Sequence, residues 1–174
     1  MGYTGGSREN PTYHALGDHT ETLELDFDPA VITFAQLMER YFKSHDPAST
    51  SWGRQYRSVV FYHDEAQRRV VEEAKTQRIG KAVSGGTAIE PAKTFYRAED
   101  YHQKYYLRQS RELVAKLRRA LPSEREFVDS TLAARLNGYE GGHGTAEDIR
   151  REMAVEGFPA DWQKAVVGDL AANR

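Results

Sequence analysis

Three short stretches of the chain hold the side-chain types that acid–base or polar-recognition chemistry needs. The first joins Tyr13 to Glu21, eight residues later, with His14, Asp18 and His19 between them. The second is Gln55-Tyr56-Arg57-Ser58, and the third is FYRAEDYHQ at 95–103. A carboxyl can deliver a proton, a tyrosine hydroxyl can donate a hydrogen bond without carrying a charge, and its ring adds apolar wall. His14, Asp18, His19 and Glu21 are also metal-ligand types, but HxxxDHxE is not a spacing with a strong ligand precedent, so solvated loop histidines are the simpler reading. The aromatic run at 95–106 reads most simply as ring positions packing a helix into a core, with charges on its outer face. Glu99 and Asp100 would then favour the helix start through the helix dipole.

The elements that must position these residues follow from hydrophobic period and turn chemistry. Residues 1–19 are rich in Gly, Asn, Pro, Ser and His and read as loop. Residues 20–27, TETLELDF, alternate as a half-buried strand does, which puts Glu21 on the face of Leu23 and Leu25. A carboxylate on that face must be partnered, neutralised or useful, because an apolar environment disfavours its charged form. Thr33 is placed to cap a helix whose Phe34, Leu37, Met38, Tyr41 and Phe42 share one side. Residues 56–62 read as a second strand, Asp64 caps a helix running to about Ile79, and residues 87–90 before Pro91 form a short third strand. This order predicts an α+β fold, an α/β two-layer sandwich.

Beyond Phe95 the pattern turns helical. Residues 98–119 carry Tyr101, Tyr105, Leu113 and Leu117, Pro122 opens a further segment to Leu136, and Thr145 and Pro159 start two more. The expected division is a domain over 1–119 and a helical extension over 120–174.

Composition bounds the function classes. With 24 basic and 26 acidic residues the net charge is −2, so no global field favours nucleic acid or an anionic membrane. No apolar run approaches the roughly 18 residues of a membrane span, and the start is not a targeting segment, which makes a cytoplasmic protein the expectation. The 174 residues include no cysteine, which removes disulfides, thiolate metal sites and thiol nucleophiles together.

Taken in order, GYTGG at 2–6, NPTY at 10–13, GDHTETLELDFDP at 17–29, HDP at 45–47, RQYRS at 54–58, VVFYHDEAQ at 59–67 and FYRAEDYHQKYY at 95–106 resemble the A-type peptide methionine-S-sulfoxide reductases. Residues 134–139 and the Gly-Gly-His-Gly turn after them resemble an extension of some members. The resemblance implies thioredoxin-dependent reduction of the S epimer of methionine sulfoxide, in proteins or as the free amino acid, with no cofactor because electrons arrive through thiols. By motif position Glu21 would be the proton donor, and Tyr13 and Tyr56 would hold the sulfoxide oxygen.

The departures from the family pattern are specific. The family's Gly-Cys-Phe-Trp lies upstream of the GYTGG block, which here follows Met1 directly, so the expectation is an N-terminally truncated domain without its first strand and helix. Ser51 or Trp52 stands where an acidic residue often precedes the QYR block, and Glu140 stands where an extension may carry a recycling cysteine. Hydroxyls are far poorer nucleophiles toward sulfur, so the chain is expected to be inactive alone. Three explanations stay open: a fragment of an ordinary reductase, a non-catalytic module that binds methionine sulfoxide or a protein, and a site completed by another chain.

Overall fold

The computed structural model describes residues 1–48, 53–80, 86–155 and 159–172. It divides into two compact units, Met1–Glu99 and Asp100–Arg174.

The first unit mixes helices with two small sheets. Strand β1 (Gly2–Thr4) lies between β2 (Thr20–Thr22) and β5 (Tyr96–Arg97), antiparallel to both. Strands β3 (Val59–Tyr62) and β4 (Ala88–Pro91) pair in parallel, and the connection between them contains helix α2 (Glu65–Ile79). Helix α1 (Phe34–Lys43) begins where Thr33 accepts from the Gln36 N–H and the Gln36 side chain returns the bond, a reciprocal cap that satisfies two orphan donors. Asp64 caps α2 through the Gln67 N–H at 2.8 Å.

Phe42 of α1, Val60 of β3 and Val71 of α2 form one core, against which Phe34, Met38, Tyr41, Ala74 and Ile89 pack. Each fully buried apolar side chain there contributes about 1.5–3 kcal/mol. Tyr3, Leu16 and Ala98 form a second, smaller core, with Tyr13 and Tyr96 against it. These elements make the α+β class expected from the order of strands and helices.

Four assignments are corrected. The loop expected over residues 1–19 contains β1, and the helical pattern expected beyond Phe95 starts with β5, because Gly2 and Tyr3 find ladder partners in both β2 and β5. The strand expected over residues 20–27 ends at Thr22, because the β1 register pairs Gly2 with Thr22 and offers β2 no partner beyond it. Leu23 and Leu25 are therefore 63% and 50% exposed instead of forming a buried face with Glu21. The strand expected from residue 56 begins at Val59, which leaves Tyr56 in the preceding turn.

The second unit is helical. The single helix expected over 98–119 is broken into 3-10 turns at Asp100–His102 and Leu107–Gln109 and a helix α3 (Arg111–Ala120). Lys104 has φ 54°, a left-handed conformation that no helix interior accepts. Tyr101 and Tyr105 are 54% and 57% exposed, so the expectation that these rings pack a helix into a core is corrected. The segment expected from Pro122 to Leu136 is likewise two helices, α4 (Glu124–Asp129) and α5 (Thr131–Glu140), divided at Ser130, whose hydroxyl accepts from the Ala133 N–H. Helices α6 (Ala146–Val155) and α7 (Ala160–Ala172) follow Thr145 and Pro159. Leu107, Leu113, Leu117, Phe127, Leu136, Ile149 and Met153 are all fully buried in this unit's core.

Candidate functional site

The pairing of β1 with β2 sets Tyr3 opposite Glu21 and so fixes one end of the site. Glu21 is tied to the turn before β3 at two levels. Its N–H donates to the Gln55 carbonyl at 3.0 Å, and the Gln55 side-chain amide donates to Glu21 Oε1 at 2.7 Å. The same amide donates to the Tyr56 hydroxyl at 3.0 Å, and the Tyr56 and Tyr13 hydroxyls stand 3.4 Å apart. Two stretches remote in sequence, one holding Tyr13 and Glu21 and the other Gln55 and Tyr56, thus bring Tyr13, Glu21 and Tyr56 into one polar cluster, the three residues that motif position singles out.

The environment keeps Tyr56 protonated. Its hydrogen bond with the Tyr13 hydroxyl, then partial loss of water, then the nearby Glu21 charge push its ionisation up to about 12. At neutral pH this phenol is an O–H donor, and its ring is 58% exposed. A guest oxygen acceptor could meet two phenols and a carboxyl here.

Supporting contacts fasten the strands that carry these groups. Arg57 donates to Thr20 Oγ1 at 3.0 Å and grips both carboxylate oxygens of Glu90, with the second contact at 2.7 Å. That fork clamps β2 to β4, holds the Glu90 carboxyl below its ordinary range and raises the guanidinium further. Thr20 also donates to the Arg54 carbonyl at 3.0 Å. On the other side, the Ser7 N–H donates to Asp18 at 2.8 Å and is the main reason the Asp18 carboxyl ionises at about 2.

The expectation of a solvated loop histidine is corrected for His19, which is buried because both of its ring nitrogens meet backbone. Nδ1 accepts from the Gly6 N–H at 3.2 Å, and Nε2 donates to the Arg8 carbonyl at 2.7 Å. This residue staples the loop after β1 to β2 and has no free nitrogen for a metal. His14 is exposed and meets the Tyr13 ring edge-on at 5.3 Å. Among the described residues no three His, Asp or Glu side chains are grouped to hold a metal.

Glu21 also borders an apolar groove of about 650 Å³, whose wall includes Leu23, Leu25, Phe34, Met38 and Phe61. Two contributors to the site carry no site role in the sequence reading, which places Gln55 beside Tyr56 and Glu99 at a helix start. Gln55 bridges Glu21 and Tyr56, and its only signal was its place beside Tyr56. Glu99 accepts from the Tyr3 hydroxyl at 2.6 Å and from the Tyr13 N–H at 3.0 Å, a pairing that spacing does not reveal. Ser51 and Trp52 lie outside the described residues.

A family model described as peptide methionine sulfoxide reductase matches residues 1–136. A fruit-fly (Drosophila melanogaster) protein named peptide methionine sulfoxide reductase is 38% identical over 163 residues, which cover 91% of this chain and 64% of the fly protein. An archaeal relative from Methanothermobacter thermautotrophicus, named peptide methionine sulfoxide reductase MsrA, is 42% identical over 119 residues, or 60% of this chain and 69% of that one. Among solved structures, Mxr1 from Saccharomyces cerevisiae in reduced form superposes with a TM-score of 0.55 at 31% identity, covering 64% of this chain and 70% of that chain. The chain thus spans under two-thirds of the fly relative's length. With the family model matched over residues 1–136 and relatives of 38% and 42% identity beside it, this protein belongs to the A-type peptide methionine sulfoxide reductases.

Proposed function

We propose that the Tyr13–Glu21–Tyr56 cluster binds the oxygen of methionine S-sulfoxide, in proteins or as the free amino acid, for thioredoxin-dependent reduction to methionine. The observation that carries this reading is the convergence of the three side chains: the Tyr13 and Tyr56 hydroxyls meet across 43 residues, and the Gln55 amide joins Glu21 to Tyr56. A sulfoxide oxygen is a strong acceptor and a poor leaving group. The two phenols hold it, and the Glu21 carboxyl supplies a proton as the sulfur–oxygen bond breaks.

The full reaction consumes two thiols and yields a thioether, a disulfide and water. A sequence with no cysteine supplies neither thiol, so the 174-residue polypeptide binds the sulfoxide and does not turn it over. With thiols supplied from outside these 174 residues, the corresponding role is repair of oxidised protein in the cytoplasm. Among the described residues no helix is long and apolar enough to cross a membrane.

The test is titration of a short peptide containing methionine S-sulfoxide, followed by NMR, beside its methionine and R-epimer counterparts. Selective binding of the S epimer, weakened by Tyr56→Phe, supports the reading; equal binding of all three peptides overturns it.

A further inference from the structure

We propose that Glu99 is a positioning residue whose carboxylate pins the Tyr13 backbone to β1 and so sets the Tyr13 hydroxyl against Tyr56. This inference rests on the reading that Tyr13 and Tyr56 hold the substrate oxygen.

Tyr13 lies in the loop of residues 5–19 that joins β1 to β2. Locally that loop has a bridge between Thr12 and Ala15, with one backbone bond of 3.0 Å, and Asn10 at φ 48°. The Tyr13–Tyr56 hydroxyl contact, at 3.4 Å, is too long to order a loop by itself.

Glu99 is carried to the site by β5. That strand pairs Arg97 with Gly2, and the next bond, Ala98 N–H to the Met1 carbonyl at 3.1 Å, keeps the chain beside β1. Its Oε2 accepts from the hydroxyl of Tyr3, a ring only 1% exposed, while Oε1 accepts from the Tyr13 N–H. A rigid core side chain thus anchors the carboxylate, and the carboxylate anchors the loop. Charge-assisted bonds of this kind are about twice as strong as neutral ones, so they set the loop position that the longer contact only reports.

An amide can replace the carboxylate here. A glutamine oxygen accepts from the Tyr13 N–H, and its NH₂ donates to the Tyr3 phenol oxygen, whose own hydrogen rotates away. Alanine can do neither.

The experiment follows the Tyr56 phenol titration by NMR in tyrosine-labelled protein, with Tyr56→Phe to assign the signal. Glu99→Ala is expected to lower that titration to the value seen in Tyr13→Phe, and Glu99→Gln to leave it as in the unsubstituted protein. A folded Glu99→Ala protein with an unchanged Tyr56 titration overturns the proposal. If Glu99→Ala does not fold, the unsubstituted protein decides. A Tyr13 amide protected from exchange, with a shift that follows a carboxyl titration, supports the assignment; one that exchanges as fast as the exposed loop amides overturns it. These readouts need no sulfoxide, so a failure of sulfoxide binding would count against the proposed function while leaving the positioning result intact.

Discussion

The Tyr13 hydroxyl lies 3.4 Å from the Tyr56 hydroxyl across 43 residues of sequence, and that contact is the largest cause of Tyr56's reluctance to ionise. Tyr56 is therefore expected to titrate at about 12 against an ordinary 10.0, and Tyr13→Phe to bring it down further than Glu21→Gln does. The native value is raised, so the contribution to stability is complete below the ordinary tyrosine value and is lost as pH rises through the native one. NMR of the labelled phenol carbons reads this directly.

Removing either phenol should weaken sulfoxide binding without removing it. One neutral hydrogen bond contributes about 0.5–1.5 kcal/mol net, which corresponds to roughly 2- to 12-fold in affinity. Tyr13→Phe and Tyr56→Phe are each expected to fall in that range by NMR titration. The double variant should lose less than the product of the two, because the hydroxyls share one contact.

Arg57 and Glu90 should make the first unit acid-sensitive. The Glu90 carboxyl is held below its ordinary value of 4.5, first by the Arg57 hydrogen bond. Its contribution is full above that ordinary value and is lost as pH falls through the lower native one. The Glu90 side chain is 34% exposed, so Glu90→Gln is expected to cost only about 1 kcal/mol at neutral pH and to flatten the acid limb of the melting curve.

The second unit depends on a packed ring and its charged cover. Phe127 is fully buried, and the guanidinium carbons of Arg108 and Arg118 lie 5.0 and 4.3 Å from its ring centre. Both arginines are bridged by Glu124. Phe127→Ala is expected to cost about 3–5 kcal/mol through cavity formation, whereas Ser123→Ala, which removes the cap of α4, costs about 1 kcal/mol. Thermal melts separate the two.

What could be read in advance was local. Thr33 and Asp64 cap their helices as their residue types require, since a cap depends on neighbours three residues away. Glu21, Tyr13 and Tyr56 were identified through motif resemblance, because no periodicity could bring a loop, a strand and a turn together. The extent of the 20–27 strand was not legible: alternation shows that a segment can form a strand, but a neighbour must complete the ladder, and β1 pairs only as far as Thr22. Tyr101 and Tyr105 misled for a related reason. Aromatic spacing resembles a helix face until a left-handed residue such as Lys104 interrupts it. Gln55 and Glu99 act across strands, and such pairings are decided by tertiary register.

The most direct measurement is an NMR titration of the unsubstituted 174-residue chain with a methionine-sulfoxide peptide, run separately for each epimer and followed by incubation with dithiothreitol. The expected result is S-epimer-selective shifts centred on Tyr13, Glu21 and Tyr56, with the sulfoxide recovered unreduced. Shifts that ignore these residues or do not distinguish the epimers, or loss of the S epimer above a buffer blank, would contradict the account.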